Sequence, residues 1–205
     1  MIKNQMDNGE EKKQNTQGGR NRRPSRPITK SRLHNGALFY LQRFASSSEN
    51  LRQVLMRRVL KSARDHSTNP EEGAAWIDEI IVKLQELGLL NDRQYAEVKV
   101  TSLLRRGNAP RTVRMKLRAK GVASEDIDLA LEAAAEEQPA DLDLTAAVAY
   151  AKRRRIGPYR IKNREEQRDK DLAALARQGF GFDLARKIIE ADSAEALEES
   201  LYEQE

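Results

Sequence analysis

The sequence VRMKLRAKGV at residues 113–122, followed by SEDI at 124–127, contains the pattern that predicts the architecture of this chain. An apolar and basic helix runs to a glycine, a hydrophobic residue follows, and an acidic segment opens the next helix. The same order recurs in LAALARQGF at 172–180, and residues 51–59 repeat the apolar spacing without the glycine. Leu55, Leu117 and Leu175 are the matching positions, 62 and 58 residues apart. The chain is therefore predicted to use one three-helix unit three times.

The composition favours several small helical cores over one large core. Only 39% of the 205 residues are hydrophobic and 5% are aromatic, whereas 34% are charged. Glycine and proline are sparse after residue 36, and no alternation typical of a strand stands out. We therefore predict an all-α fold of tandem three-helix bundles. There is no run of 18 apolar residues and no apolar signal-peptide centre, so we expect a cytoplasmic protein without a membrane partner.

Helix start and stop signals divide the chain. Asn69 and Pro70 have the form of an N-cap followed by a first helical residue, and Ser46 with Glu49 has the form of a capping box. Residues 61–69 are interpreted as a polar connection. The predicted segments are a disordered basic arm at 1–36, three-helix repeats at 37–90, 91–138 and 139–192, and a short acidic C-terminal helix or tail at 193–205.

Charge is strongly segregated along the sequence. The net charge is +5, and the arm alone carries nine basic and three acidic residues. Residues 103–120 contain seven basic residues and no acid, 124–143 contain eight acids and no base, and 150–170 contain nine bases and three acids. A surface selected only for solubility mixes the signs, so this pattern favours basic faces that meet a partner. For the arm, attraction to phosphate and a solvated tail without a role both remain open.

The sequence offers no set of residues for catalysis. The two histidines, His34 and His66, fall in the predicted arm and in the predicted polar connection, and there is no cysteine. No phosphate-binding loop of the G-x-x-x-x-G-K-[ST] type is present, and the carboxylates do not form an isolated pair in an apolar setting. We therefore expect a protein that is not an enzyme, with no metal, no cofactor and no small-molecule substrate.

The basic clusters are the candidate functional surface. Arg111, Arg114 and Arg118 share one helix face, opposite Val113 and Leu117. Basic residues interleaved with tyrosine suit phosphate contact and base stacking, but they suit an acidic protein groove equally well, and a merely solvated face is the third alternative. The predicted DNA- or partner-binding residues are Arg105, Arg106, Arg111, Arg114, Arg118, Lys120, Lys152, Arg153, Arg154, Arg155, Tyr159 and Arg160.

Three short motifs resemble those of the RecX family, which regulates the RecA recombinase. Residues 89–96, LLNDRQYA, look like the opening of the family's middle repeat, and 117–122, LRAKGV, and 177–180, RQGF, are similar to its two glycine-containing elements. The glycines at these positions are predicted to be left-handed helix caps. The residues assigned structural roles are Tyr95, Leu117, Gly121, Leu175, Gly179 and Phe180.

The resemblance implies an elongated, curved array of three-helix repeats with no catalytic site. It also implies that the chain binds the filament of RecA on single-stranded DNA, and mainly inhibits its ATPase and strand exchange in homologous recombination, DNA repair and the SOS response. The alternative from the residues alone is a helical module that binds nucleic acid directly, single-stranded or duplex, without a recombinase partner.

Overall fold

A computed structural model describes residues 27–66, 68–138 and 140–202 of the chain. These residues form α-helices joined by short turns, and none of them lies in a β-strand. The prediction of an all-α fold is confirmed. The helices are α1 Lys30–Leu41, α2 Ser48–His66, α3 Pro70–Glu86, α4 Asp92–Arg105, α5 Pro110–Arg118, α6 Ser124–Glu136, α7 Leu142–Arg154, α8 Arg164–Arg177, α9 Phe182–Glu190 and α10 Ala194–Glu199, with a 3-10 turn at Gly157–Tyr159 between α7 and α8.

Three separate hydrophobic cores correspond to three repeats. Helices α1 to α3 enclose the first core, α4 to α6 the second, and α7 to α10 the third. The matching leucines Leu55, Leu117 and Leu175 are buried, one in each core. Among the other residues assigned structural roles, Tyr95 is buried in the second core and Phe180 in the third. The threefold repetition read from these positions is therefore present in the packing.

The first repeat begins earlier than predicted. Helix α1 starts at Lys30, where the Thr29 hydroxyl caps it by accepting a hydrogen bond from the backbone N–H of Arg32. Leu33 and Ala37 of this helix are buried in the first core, so the boundary at residue 36 is wrong, and His34 lies in a helix. Burial of two apolar residues outweighs the polar composition around them. Residues 1–26 of the predicted arm lie outside the described residues.

Helix α2 differs from its prediction at both ends. The hydroxyl of Ser47, and not of Ser46, accepts the backbone N–H of Asn50, so the cap is shifted by one residue. At the other end the helix continues to His66, so the predicted polar connection at 61–69 is wrong over most of its length. Within this stretch Ser62 is buried, and its hydroxyl accepts the backbone N–H of Ile28 at 2.9 Å, so this part of α2 packs against the segment that precedes α1.

The cap predicted at Asn69 is present, and two further caps lie at the starts of other helices. The side chain of Asn69 accepts the backbone N–H of Glu71, and Pro70 occupies the first turn of α3. Asn91 caps α4 in the same way. The predicted short final helix, α10, is capped by Ser193, but its Leu197 is buried in the third core. This helix therefore packs as part of the third repeat and does not form a separate tail.

The repeats are joined end to end through their middle helices. The Ser47 hydroxyl, at the start of α2, donates to the carbonyl oxygen of Lys120 at the end of α5. The Thr112 hydroxyl, in the first turn of α5, donates to the carbonyl oxygen of Gln178 at the end of α8, over 2.7 Å. Each accepting carbonyl directly precedes a glycine with positive φ, at Gly121 and Gly179. These glycines therefore lie in the joints between repeats as well as in helix caps.

Gly121 satisfies two requirements at once. Its φ of +72° is in the left-handed region, and the N–H groups of Gly121 and Val122 bond back to the carbonyls of Arg118 and Leu117. A Cβ atom at this position would overlap Cβ and Cγ of Glu49 in the first repeat. A side chain here would thus strain the backbone and push two repeats apart.

We expect Gly121→Ala to lower the free energy of unfolding by about 2–4 kcal/mol. About 1 kcal/mol comes from the left-handed backbone, and the remainder comes from overpacking against Glu49. Gly88→Ala is a matched control, because Gly88 has a φ of +67° in the same kind of cap, but a Cβ atom there would have no neighbour within 4 Å. Urea unfolding followed by circular dichroism measures both variants. Equal losses for the two glycines would show that the close approach between repeats is unimportant.

Candidate nucleic-acid and partner interface

The end of α4 meets the last turns of α7, which brings two basic segments together. A Cβ atom at Gly107, just after α4, would lie 2.5–2.6 Å from Tyr150 of α7. Arg105 and Arg106 directly precede this contact, and the basic run from Lys152 begins two residues after Tyr150. Clusters that are more than 40 residues apart in the sequence therefore adjoin. We call this the joined basic surface, consisting of Arg105, Arg106, Lys152, Arg153, Arg154 and Arg155.

Most of the joined basic surface is available to an outside anion. The side chains of Arg105, Arg106, Arg154 and Arg155 are exposed and have no hydrogen-bond or ion-pair partner among the residues that the structure describes. The guanidinium of Arg153 lies over the ring of Tyr150, with its carbon 5.8 Å from the ring centroid. A partner that pairs with these cations would not have to break an existing ion pair first, except at Lys152.

The predicted arginine face of α5 is less uniform than its spacing indicates. Arg111 and Arg118 are exposed and unpaired within the described chain. Arg114 instead donates from Nε to Asp128 of α6 at 2.8 Å, with both side chains nearly half exposed. Lys120 donates to the side-chain oxygen of Asn50 at 3.0 Å, across the joint between the first two repeats. Two of the three arginines on this face, and not all three, are free cations.

Arg160 is held inside the third repeat. Its Nε and Nη2 atoms donate to the two carboxylate oxygens of Asp171 at 3.0 and 2.6 Å. The backbone N–H of Gly157 donates to the same carboxylate at 3.2 Å. The hydrogen bonds to Asp171 raise the pKa of the Arg160 guanidinium above its usual value. The pair fixes the segment between α7 and α8, so the prediction of Arg160 as a binding residue stays a prediction and its observed contacts are structural.

Asp171 is the residue that sequence reasoning missed. It is 3% exposed, and in α8 it lies four residues before the buried Leu175, on the apolar face of the helix. A carboxylate in the apolar stripe of a helix was the available signal, since buried charges are normally paired. The segment that it anchors is bounded by Arg155 and Asn163, both in the left-handed region with φ of 54° and 55°.

Tyr159 and Lys152 share one carboxylate of the C-terminal helix. The Tyr159 hydroxyl and the Lys152 ammonium each donate to Oε1 of Glu198 at 2.9 Å. Burial, and then the hydrogen bond to Glu198, raise the pKa of the Tyr159 hydroxyl well above its usual range. Lys152, followed by Tyr159, lowers the pKa of Glu198. At neutral pH the Tyr159 phenol is therefore neutral and the Glu198 carboxylate is ionised, and both meet the side chain of Lys152 in one network.

Nothing in the described ranges forms a metal centre. No group of three or more His, Asp or Glu side chains is placed to hold a cation there. Within the same ranges, no helix has the length and hydropathy needed to cross a membrane. What the geometry offers is a set of exposed guanidinium groups on two adjoining repeats.

Comparison with known proteins accounts for this arrangement of repeats. The family model for the second three-helix domain of RecX matches residues 91–131, which contain α4, α5 and the first part of α6. The regulatory protein RecX of Myxococcus xanthus is 40% identical over 177 residues, which cover 84% of this chain and 93% of that protein. The chain belongs to the RecX family of regulatory proteins. The resemblance inferred from the three motifs is confirmed.

Other relatives support the same assignment. The regulatory protein RecX of Agrobacterium fabrum is 32% identical over 163 residues, covering 79% of this chain and 84% of that protein. The crystal structure of RecX from Lactobacillus salivarius superposes with a TM-score of 0.52 at 25% identity, and covers 78% of this chain and 94% of that one. The sequence relatives and the solved structure thus indicate the same family and the same helical architecture.

Proposed function

We propose that this protein binds the filament formed by a RecA-type recombinase on single-stranded DNA and mainly inhibits its ATPase and strand exchange. The observation that carries the proposal is the joined basic surface, in which exposed cations of the second and third repeats lie on adjoining segments. Membership of a family of regulatory proteins supports the regulatory part. In this proposal the chain acts in the cytoplasm by binding alone, without a cofactor or a small-molecule substrate.

The physical argument rests on charge and on the number of contacts. A filament presents both phosphate and protein surface, so a module with segregated charge can be oriented by it as it approaches. In this proposal the exposed arginines contact phosphate or carboxylate, and the carboxylates of helix α6, such as the exposed Glu132, pair with basic groups of the recombinase. Because the repeats are joined, several weak contacts act as one stronger contact.

A titration of preformed recombinase filaments tests the proposal. We expect the protein to reduce ATP turnover at well below one molecule per filament subunit, because a regulator does not need to cover the strand. A module that only binds nucleic acid must instead approach the amount that saturates the DNA before turnover falls. A requirement for saturating amounts would favour the alternative function, direct binding of nucleic acid without a recombinase partner.

A further inference from the structure

The carboxylate of Glu198 has the surroundings that a phosphate oxygen would have. One of its oxygens accepts a charged donor, the Lys152 ammonium, and a neutral donor, the Tyr159 hydroxyl, each at 2.9 Å. Lysine and hydroxyl donors are also common partners of phosphate oxygens. Both donors belong to the candidate interface, and both are directed at an anion that the chain itself supplies.

Helix α10 fixes where this carboxylate can reach. Leu197 is buried in the third core, and the Ser193 hydroxyl caps the helix by accepting the backbone N–H of Ala196 at 3.0 Å. The helix is therefore anchored, while the Glu198 side chain remains 41% exposed and Lys152 63% exposed. Rotation of the Glu198 side chain alone would free both donors, so an incoming anion does not require the helix to leave.

A depression beside Tyr159 provides space for the rest of a nucleotide. It is shallow, with a volume of about 330 Å³, and is lined by Arg155, Tyr159, Arg160, Ile161 and Lys162. Ile161 is 89% exposed and offers an apolar surface next to an aromatic ring. Bases of single strands stack on aromatic side chains without sequence preference, while cations nearby hold the backbone. The segment is also rigid, because Asp171 binds Arg160 and the N–H of Gly157.

We propose that Lys152 and Tyr159 form a phosphate site for single-stranded nucleic acid, and that Glu198 occupies this site in the free protein. A phosphate of the strand binds there only by displacing the carboxylate. This phosphate site rests on one part of the proposed function, namely that the basic surface of the third repeat meets nucleic acid. Glu198 then lowers the affinity for isolated anions, while a strand that makes several contacts at once can displace it.

The test compares Glu198→Gln with Glu199→Gln in the full-length protein. Both variants remove one negative charge from α10, but Glu199 has no hydrogen bond to Lys152 or Tyr159. Fluorescence anisotropy with a labelled thymidine oligonucleotide at low salt measures the affinity. We expect Glu198→Gln to bind about three- to fivefold more tightly, as an exposed ion pair of this kind allows, and Glu199→Gln to change affinity by less than about twofold.

The Lys152→Met background makes the test specific to this site. There the gain from Glu198→Gln should disappear, because the phosphate has lost its charged donor. Equal gains from both glutamates, or a gain that persists without Lys152, would overturn the proposal. A gain on recombinase filaments without a gain on the bare oligonucleotide would also overturn it, because the ligand would then be protein. Failure of the wild-type protein to affect recombinase ATPase, with the gain on DNA retained, would instead contradict the proposed function alone.

Discussion

Replacing Asp171 by alanine is expected to lower the free energy of unfolding of the third repeat by about 3 kcal/mol. The variant leaves the Arg160 guanidinium without its two hydrogen bonds, in a side chain that is only 26% exposed. It also leaves the buried N–H of Gly157 without an acceptor. Breaking a buried pair costs several kcal/mol because the remaining charge is uncompensated; partial exposure of Arg160 places the expected value at the lower end.

The matched control for this prediction is Asp169→Ala. Asp169 is on the same helix, but its side chain is 94% exposed and reaches Arg168 only at 3.6 Å, so we expect a change of less than about 0.5 kcal/mol. The chain has one tryptophan, Trp76, which packs against the first core. In Asp171→Ala, the urea transition seen by circular dichroism should shift while the Trp76 fluorescence transition stays in place. Wild-type stability of the third repeat would contradict the anchoring role of Asp171.

Neutralising Arg105, Arg106 and Arg154 to glutamine is expected to weaken control of recombinase ATPase by at least about a hundredfold in protein concentration. These three cations are exposed, and none has a partner within the described chain. Each lost contact to phosphate or carboxylate is worth about 1–1.5 kcal/mol, and the three together exceed the 2.7 kcal/mol or so that a hundredfold requires. Glutamine is chosen because glutamate at a helix C-terminus would itself destabilise the helix.

A triple variant in the first repeat controls for the loss of net charge. Arg43, Arg57 and Lys61 are exposed cations outside the joined basic surface. Replacing these by glutamine changes the net charge by the same amount, so we expect less than about a fivefold effect on ATPase control. Similar losses in both triple variants would indicate that total charge, and not the joined basic surface, produces the effect.

The repeat architecture could be predicted from the sequence because its determinants are local. The stripe that contains Leu117, the cap at Asn69 and the glycine at Gly121 each specify a helix or its end within a few residues. The start of α1 could not be predicted in the same way. Its two core residues, Leu33 and Ala37, are too few to produce a clear periodic signal in a polar stretch.

Whether each candidate binding residue is free or paired depends on contacts with residues that are distant in the sequence. Helical spacing put Arg114 beside Arg111, but only the packing of α5 on α6 shows that Asp128 holds Arg114. In the same way, the contact between Gly107 and Tyr150 joins two basic segments that the sequence shows as separate. Which cations are free is decided by tertiary packing, and this part of the site had to come from the structure.

The central claim is tested most directly by two affinities of the triple variant of Arg105, Arg106 and Arg154. One is its affinity for a preformed recombinase filament, and the other is its affinity for the same single strand without recombinase. We expect a loss of at least about a hundredfold on the filament and a smaller loss on bare DNA, with helicity unchanged. An equal loss on both would favour a module that binds nucleic acid alone. Undiminished binding to the filament would contradict the assignment of the joined basic surface as the working surface of this protein.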